Sequence, residues 1–228
     1  MYTKYIAASL TAFFLLFSSL SCSQDNKGST PKSTSESTPS QPTNGDSGPS
    51  TPIPGWKKFA IEKAELWLPE SYEGGNIKKD VDLIIARAKQ MGSDFDKMVQ
   101  IIEQSRDLLL LLAFDSNIGP LGEVTNVNIT AEPVLSTVSI DDFIDLTIKQ
   151  LPSQFKVIDR EIVSLDRYQA GNLTWKATLN GIETRILQYI IKDRNSTVWV
   201  VTYTTSADEF DQRLPSFKKS INTFYLLP

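Results

Sequence analysis

The stretch LTWKATLNGIETRILQYIIKDRNSTVWVVTYTT, residues 173–205, decides the fold. Leu173, Trp175, Ala177 and Leu179 alternate with Thr174, Lys176 and Thr178, which is the period of a half-buried strand. Asn180-Gly181 comes next. It is a strong hairpin signal, because both residues tolerate the positive φ of a two-residue turn. Ile182 to Lys192 reads as the returning strand, Asp193 to Ser196 as a turn, and Thr197 to Thr205 as the next strand. Strands joined by turns this short must run antiparallel.

Working outward, Val157 to Leu165 is a further strand. Before it, Ser139 with Asp142 predicts a helix cap, followed by an inner face of Ile140, Phe143, Ile144, Thr147, Ile148 and Leu151 up to Pro152. The run Leu108 to Phe114 suits a strand covered on both faces. Val124, Val127, Ile129 and Val134 mark another, limited by Pro133. Ile77, Val81, Ile84, Ile85, Ala88 and Met91 have helical spacing and end at Gly92. Ser93 with Asp96 predicts a second helix bearing Phe95, Met98, Val99 and Ile102. Phe59, Ile61, Leu66 and Leu68 predict two short strands turning near Lys63 and ending at Pro69. Past the meander, Ser206 with Glu209 predicts a capping box. The helix it opens carries Phe210, Leu214, Phe217, Ile221 and Phe224, and Pro215 is expected to kink or split it. The sum is one α+β domain over 56–228: a largely antiparallel sheet with helices on both faces, an α-β-α sandwich.

The first 55 residues have another character. Met1 to Ser21 has Lys4, an apolar stretch from Ile6 to Phe17, and small residues at Ser18, Ser19 and Ser21, the parts of an export signal. The apolar stretch falls short of the roughly 20 residues of a membrane span. Ser19-Leu20-Ser21-Cys22 resembles a bacterial lipobox, although the leucine usual at the third position before Cys is displaced to Leu20. That resemblance implies diacylglycerol on Cys22 and a mature chain beginning there. The alternative is ordinary cleavage at Ser19-x-Ser21, leaving a free secreted protein. Residues 22–55 then read as the lipidated Cys22 followed by a Ser/Thr/Pro-rich tether, too poor in apolar side chains to offset its chain entropy. Such a tether spans about 30 Å when flexible, and its six prolines extend it. A glycosylated stalk is the other reading of this composition.

Composition removes whole classes of chemistry. The 228-residue chain has no histidine, which excludes Ser-His-Asp and Cys-His catalysis and every imidazole metal site. Its one cysteine excludes an internal disulfide and any Cys-x-x-Cys pair. A net charge of −4 argues against a nucleic-acid partner. Gly74-Gly75 is too short to cradle phosphate. Asp141, Asp142 and Asp145 crowd one helix start, as do Asp208, Glu209 and Asp211. Favourable interaction with the helix dipole accounts for both groups; calcium coordination by Asp141, Asp142 and Asp145 is the other reading, although their spacing is nothing like an EF-hand. Trp175, Tyr189, Trp199 and Tyr203 lie on strands and are expected to pack in the core rather than form a ligand platform.

Several elements recur in one order: Phe155-Lys156-Val157-Ile158, Val163-x-Leu165, Leu173-x-Trp175, Asn180-Gly181, Gln188-Tyr189-Ile190, Val200-Val201-Thr202-Tyr203 and the helix from Glu209-Phe210 to Phe224. With Leu66-Trp67-Leu68-Pro69-x-x-Tyr72 near the start, the domain resembles the PsbP-like superfamily, which includes DcrB-related envelope lipoproteins and a eukaryotic Ran-binding import factor. The resemblance implies a sandwich without catalytic residues that works by binding proteins. In a cyanobacterium it would imply the thylakoid lumen and a photosynthetic complex. Metal ions are associated with some relatives through histidine, which this chain lacks. The expectation is therefore an exported lipoprotein, membrane-anchored through Cys22 on the extracytoplasmic side. It would have no cofactor, no metal site and no catalytic residue, and would act as a protein-binding or assembly module. The alternative is a secreted or tethered hydrolase using paired carboxylates.

Overall fold

The computed structural model describes residues 52–90, 99, 102–103, 107–120, 122–179 and 181–227. The meander forms as expected. Strands β6 (Lys156–Ser164), β7 (Gln169–Leu179), β8 (Ile182–Lys192) and β9 (Thr197–Ser206) pair antiparallel in sequence. Leu179 faces Ile182 across the hairpin, where Gly181 has φ 83°, a left-handed conformation that suits glycine. Beyond β9 the sheet continues through β5 (Asn126–Pro133), β4 (Leu109–Asp115) and β3 (Tyr72–Asn76), giving the order β3-β4-β5-β9-β8-β7-β6. Strands β1 (Trp56–Ala60) and β2 (Ala64–Pro69) form the expected hairpin, in a separate three-stranded sheet with β10 (Tyr225–Leu226). The helices that join them include α1 (Ile77–Gln90), α2 (Ile140–Gln150) and α3 (Ala207–Asn222). The class is α+β, with antiparallel sheets and helices on both faces.

Strand periodicity divides the large sheet into two apolar faces. The front face, with Leu111, Val127, Leu187, Tyr189, Val201 and Tyr203, packs under the small sheet and α3. There Phe217, Ile221 and Phe224 are buried to 2% exposure or less, each contributing about 2 kcal/mol through area removed from water. The back face carries α1 over Leu112 and Phe114, and α2 over Leu173, Ile190 and Val200. Gly171 lies directly beneath α2: a Cβ there would stand 2.5 Å from Ile144 Cδ1 and 2.9 Å from Ile140 Cγ2. The missing side chain sets how closely helix and sheet approach.

Four details differ from the sequence reading. Strand β3 was not expected, because Tyr-Glu-Gly-Gly-Asn lacks β-branched residues and alternation. Gly74 fits because a Cβ would meet Leu112 O at 2.2 Å, so only glycine lets β3 approach β4. The short β10 was also unexpected; it adds to β2 only because α3 delivers it there. Pro215 does not split α3, which continues through it. Phe210 and Leu214 before the proline and Phe217 and Ile221 after it pack into one cluster. Ser206 precedes α3 but makes no side-chain cap bond. It is still the last residue of β9, paired with Thr184, and Glu209 turns to other partners. By contrast, the Ser139–Asp142 capping box forms in both directions. The second helix expected from Ser93 lies outside the described residues except Val99, Ile102 and Glu103, which are helical, with Val99 and Ile102 buried.

Candidate binding cleft

Between the two sheets, at one end of the sandwich, opens a cleft of about 590 Å³. That volume is within the range of ligand sites. Its floor is apolar: Leu110, Ala131 and Trp199 from the large sheet, with Ile61 and Leu226 from the small one. Its rim is charged: Glu62 and Lys63 from the β1–β2 turn, and Lys78 and Lys79 from the first turn of α1. No described carboxylate is within ion-pairing distance of these three ammonium groups. Asn76 shapes the same wall and opens α1: its Oδ1 accepts from Lys78 N at 2.9 Å, while its own N–H donates to Asp80 Oδ2 at 3.0 Å. The acid most enclosed by the cleft, Asp193, is committed to its turn. Its Oδ1 accepts from Asn195 N at 2.8 Å and Thr197 N at 2.9 Å, and its Oδ2 from Trp199 Nε1 at 3.1 Å.

The acids singled out in the sequence are engaged elsewhere. Asp142 accepts from the Ser139 hydroxyl and N–H, and those bonds hold its carboxyl below the ordinary range. Asp141 and Asp145 both receive the Arg160 guanidinium, raising its pKa. Asp115 and Glu209 converge near the opposite end, with Arg213 between them: Nη1 donates to Asp115 at 2.6 Å and Nε to Glu209 at 2.9 Å. Burial opposes the charge on Arg213, but these bonds outweigh it and the pKa rises. Tyr72, beside this cluster, is pushed well up, first by burial and then by Asp115. A carboxylate pair bridged by a guanidinium is occupied by that cation. It has neither a free general acid nor a free nucleophile. Among the described residues no group of three His, Cys, Asp or Glu side chains can hold a metal ion.

The aromatic residues pack as expected. Trp175 meets Phe155 at 5.7 Å between ring centroids, and Tyr189 meets Tyr203 edge-on at 6.2 Å. Trp199 does double duty, packing on Phe224 and flooring the cleft. Cys22 lies outside the described residues.

The sequence reading missed two features. The first is the cleft, assembled from the β1–β2 turn, α1, the β8–β9 turn and the segment after α3, which no local pattern connects. The second is a buried polar row on the back face, where Asn128, Thr202 and Gln188 stand opposite one another on β5, β9 and β8. Gln188 Nε2 donates to Thr202 Oγ1 at 3.1 Å. Asn126 Oδ1, Asn128 Nδ2, Gln188 Oε1 and Thr204 Oγ1 have no protein partner. The alternation of NVNIT and VVTYTT signalled a polar face, but such a face ordinarily reads as solvated.

No family model matches the chain, and no curated protein matches it. Solved structures do. The cyanobacterial PsbP (CyanoP) of Synechocystis is 12% identical, with 79% of this chain and 98% of that one covered at a TM-score of 0.49. LpqN of Mycobacterium tuberculosis, involved in cell envelope biogenesis, is 11% identical, with 72% and 83% covered at 0.49. PA94 of Pseudomonas aeruginosa is 16% identical, with 76% and 98% covered at 0.45. A cyanobacterial PsbP is thus among the solved structures to which the chain is similar.

Proposed function

We propose that this protein is an exported lipoprotein, anchored through Cys22, whose domain over 56–228 binds a protein partner without catalysis. The observation that carries this reading is the open, unpaired, lysine-rimmed cleft, set against acidic pairs already bridged by Arg160 and Arg213. The first part of the chain supplies an address and a reach, as argued from Met1 to Ser21 and from Ser23 to Pro54. A tether raises the local concentration of the domain near a membrane complex, so modest intrinsic affinity suffices.

The test compares the intact chain with Cys22→Ala in the native host. The intact protein should fractionate with membranes, carry acyl mass on Cys22, and cross-link to a defined partner. Cys22→Ala should be released and should cross-link to the same partner less efficiently. A soluble intact protein with unmodified Cys22 would overturn the anchor. A turnover activity lost on replacing Asp115 or Glu209, with folding kept, would overturn the non-catalytic reading.

A further inference from the structure

The cleft has a direction. Strand β1 leaves Trp56 and reaches the Ile61–Lys63 turn after about 17 Å, at about 3.3 Å per residue. Trp56 is fixed where the chain enters: its N–H donates to Ile53 O at 3.0 Å, and Lys219 Nζ lies 4.6 Å from its ring centroid. The β3 and β5 strands agree on polarity. Tyr72 and Asn126 lie at the entry end, with Asp115 paired to Tyr72 and joined by its N–H to Thr125 O. Asn76 and Ala131 lie at the cleft end. The cleft therefore opens away from the point where residues 1–55 join the fold.

Its chemistry selects an occupant. Three lysines, Lys63, Lys78 and Lys79, line the mouth with Glu62 and Asp193, an excess of one positive charge on a chain whose net charge is −4. Local positive charge on an acidic protein, around an apolar floor, complements a ligand that is anionic outside and apolar within. The mouth is formed by turns and chain ends, where an extended segment can lie across the gap between the two sheets.

We infer that this cleft is the docking site for an acidic, aliphatic-rich extended segment of the protein partner, presented on the side of the domain away from its own anchor. Carboxylates of that segment pair with Lys63, Lys78 and Lys79, and its aliphatic side chains cover Leu110, Trp199 and Leu226. The inference rests on the protein-binding reading above and names its surface.

The experiment uses the processed chain carrying Cys22→Ala and an acetylated pentapeptide alternating glutamate and leucine. Binding is followed by the NMR cross-peak of the Trp199 indole N–H, which reports on the floor and on Asp193. The peptide should shift that peak saturably. Lys63→Ala/Lys78→Ala/Lys79→Ala should weaken binding about tenfold, since three exposed charge pairs each contribute modestly. Arginine at the same positions should restore it. Raising salt from low to high should weaken the parent and leave the triple variant nearly unchanged. A lysine–leucine peptide of equal length should not bind. Binding of decanoate at the same peak without the peptide would overturn the peptide assignment in favour of a lipid-like carboxylate. Equal peptide affinity in parent and triple variant would overturn the site. If the partner cross-linked in the host assay is captured equally by the triple variant, the module reading stands and this surface falls. If no partner is found but the peptide binds at the lysines, the reverse holds.

Discussion

Arg213 offers a sharp test of whether the converging acids are structural. Its guanidinium bridges Asp115, whose side chain is 4% exposed, and Glu209 at 21%. Replacing it with methionine keeps most of the volume and removes the charge. Asp115 would then be left buried, with Asn117 N and Nδ2 as its remaining donors, each at 3.0 Å to Oδ1. Breaking a buried pair from one side costs about 3–5 kcal/mol. The retained Asn117 bonds place Arg213→Met at the low end, about 3 kcal/mol. For a chain of this length that is about 6–12 °C in Tm. The double variant Arg213→Met/Asp115→Asn removes the stranded charge along with its partner, so it should recover about 1–2 kcal/mol of that loss. Urea unfolding of parent, both single variants and the double variant, at constant m, gives the cycle. An Arg213→Met loss under 0.5 kcal/mol, or additive single effects, would refute the claim that Arg213 holds Asp115 in place and would reopen the carboxylates to other work.

Gly171→Ala should destabilise the fold by about 1–3 kcal/mol through overpacking against Ile144 and Ile140; urea unfolding with an unchanged midpoint would show that α2 can lift at no cost. Thr204→Val should stabilise by about 1 kcal/mol, because it deletes a buried hydroxyl with no protein partner; a lower thermal midpoint would mean that this hydroxyl is bonded to water in the native state. Alkaline unfolding should follow the buried tyrosines. Burial, then Glu161, pushes Tyr189 up to about 12, and burial raises Tyr203 well above its ordinary value. Their contribution is complete below pH 10 and is lost as pH rises from 10 through 12, since the unfolded state ionises first. Tyrosinate absorbance should therefore appear in two stages, the later one coinciding with loss of circular dichroism; a single early stage would contradict the burial.

The meander was legible because its information is local. Leu173 to Leu179 alternates, Asn180-Gly181 turns, and a strand hydrogen-bonds its sequence neighbour, so pattern and pairing coincide. The Ser139–Asp142 cap was legible for the same reason, both partners lying within one helical turn. Ser206 and Glu209 had the same spacing and failed, because β9 keeps Ser206 in the sheet while Arg213 and Thr205 draw Glu209. The sign of that competition depends on residues far along the chain. Val157, Ile158 and Ile162 read as a strand, and they are one; being last in the sheet, β6 leaves all three about 40–50% exposed. The polar positions of β5 and β9 read as a solvated face yet are buried, because periodicity reports which residues share a face and not what covers it.

By itself the sequence determined the excluded chemistry, the expected export signal and tether, and the antiparallel α+β character, each fixed by residue type or short spacing. Only tertiary structure decided that β1, β2 and β10 close a second sheet, that Arg160 and Arg213 occupy the acids, and that Lys63 meets Lys78 and Lys79 around one cleft. The physical reason is range. Backbone propensity and capping act within a few residues, whereas a cleft is the space left between surfaces whose approach is set by packing, and its charge is whatever those distant turns bring to the rim.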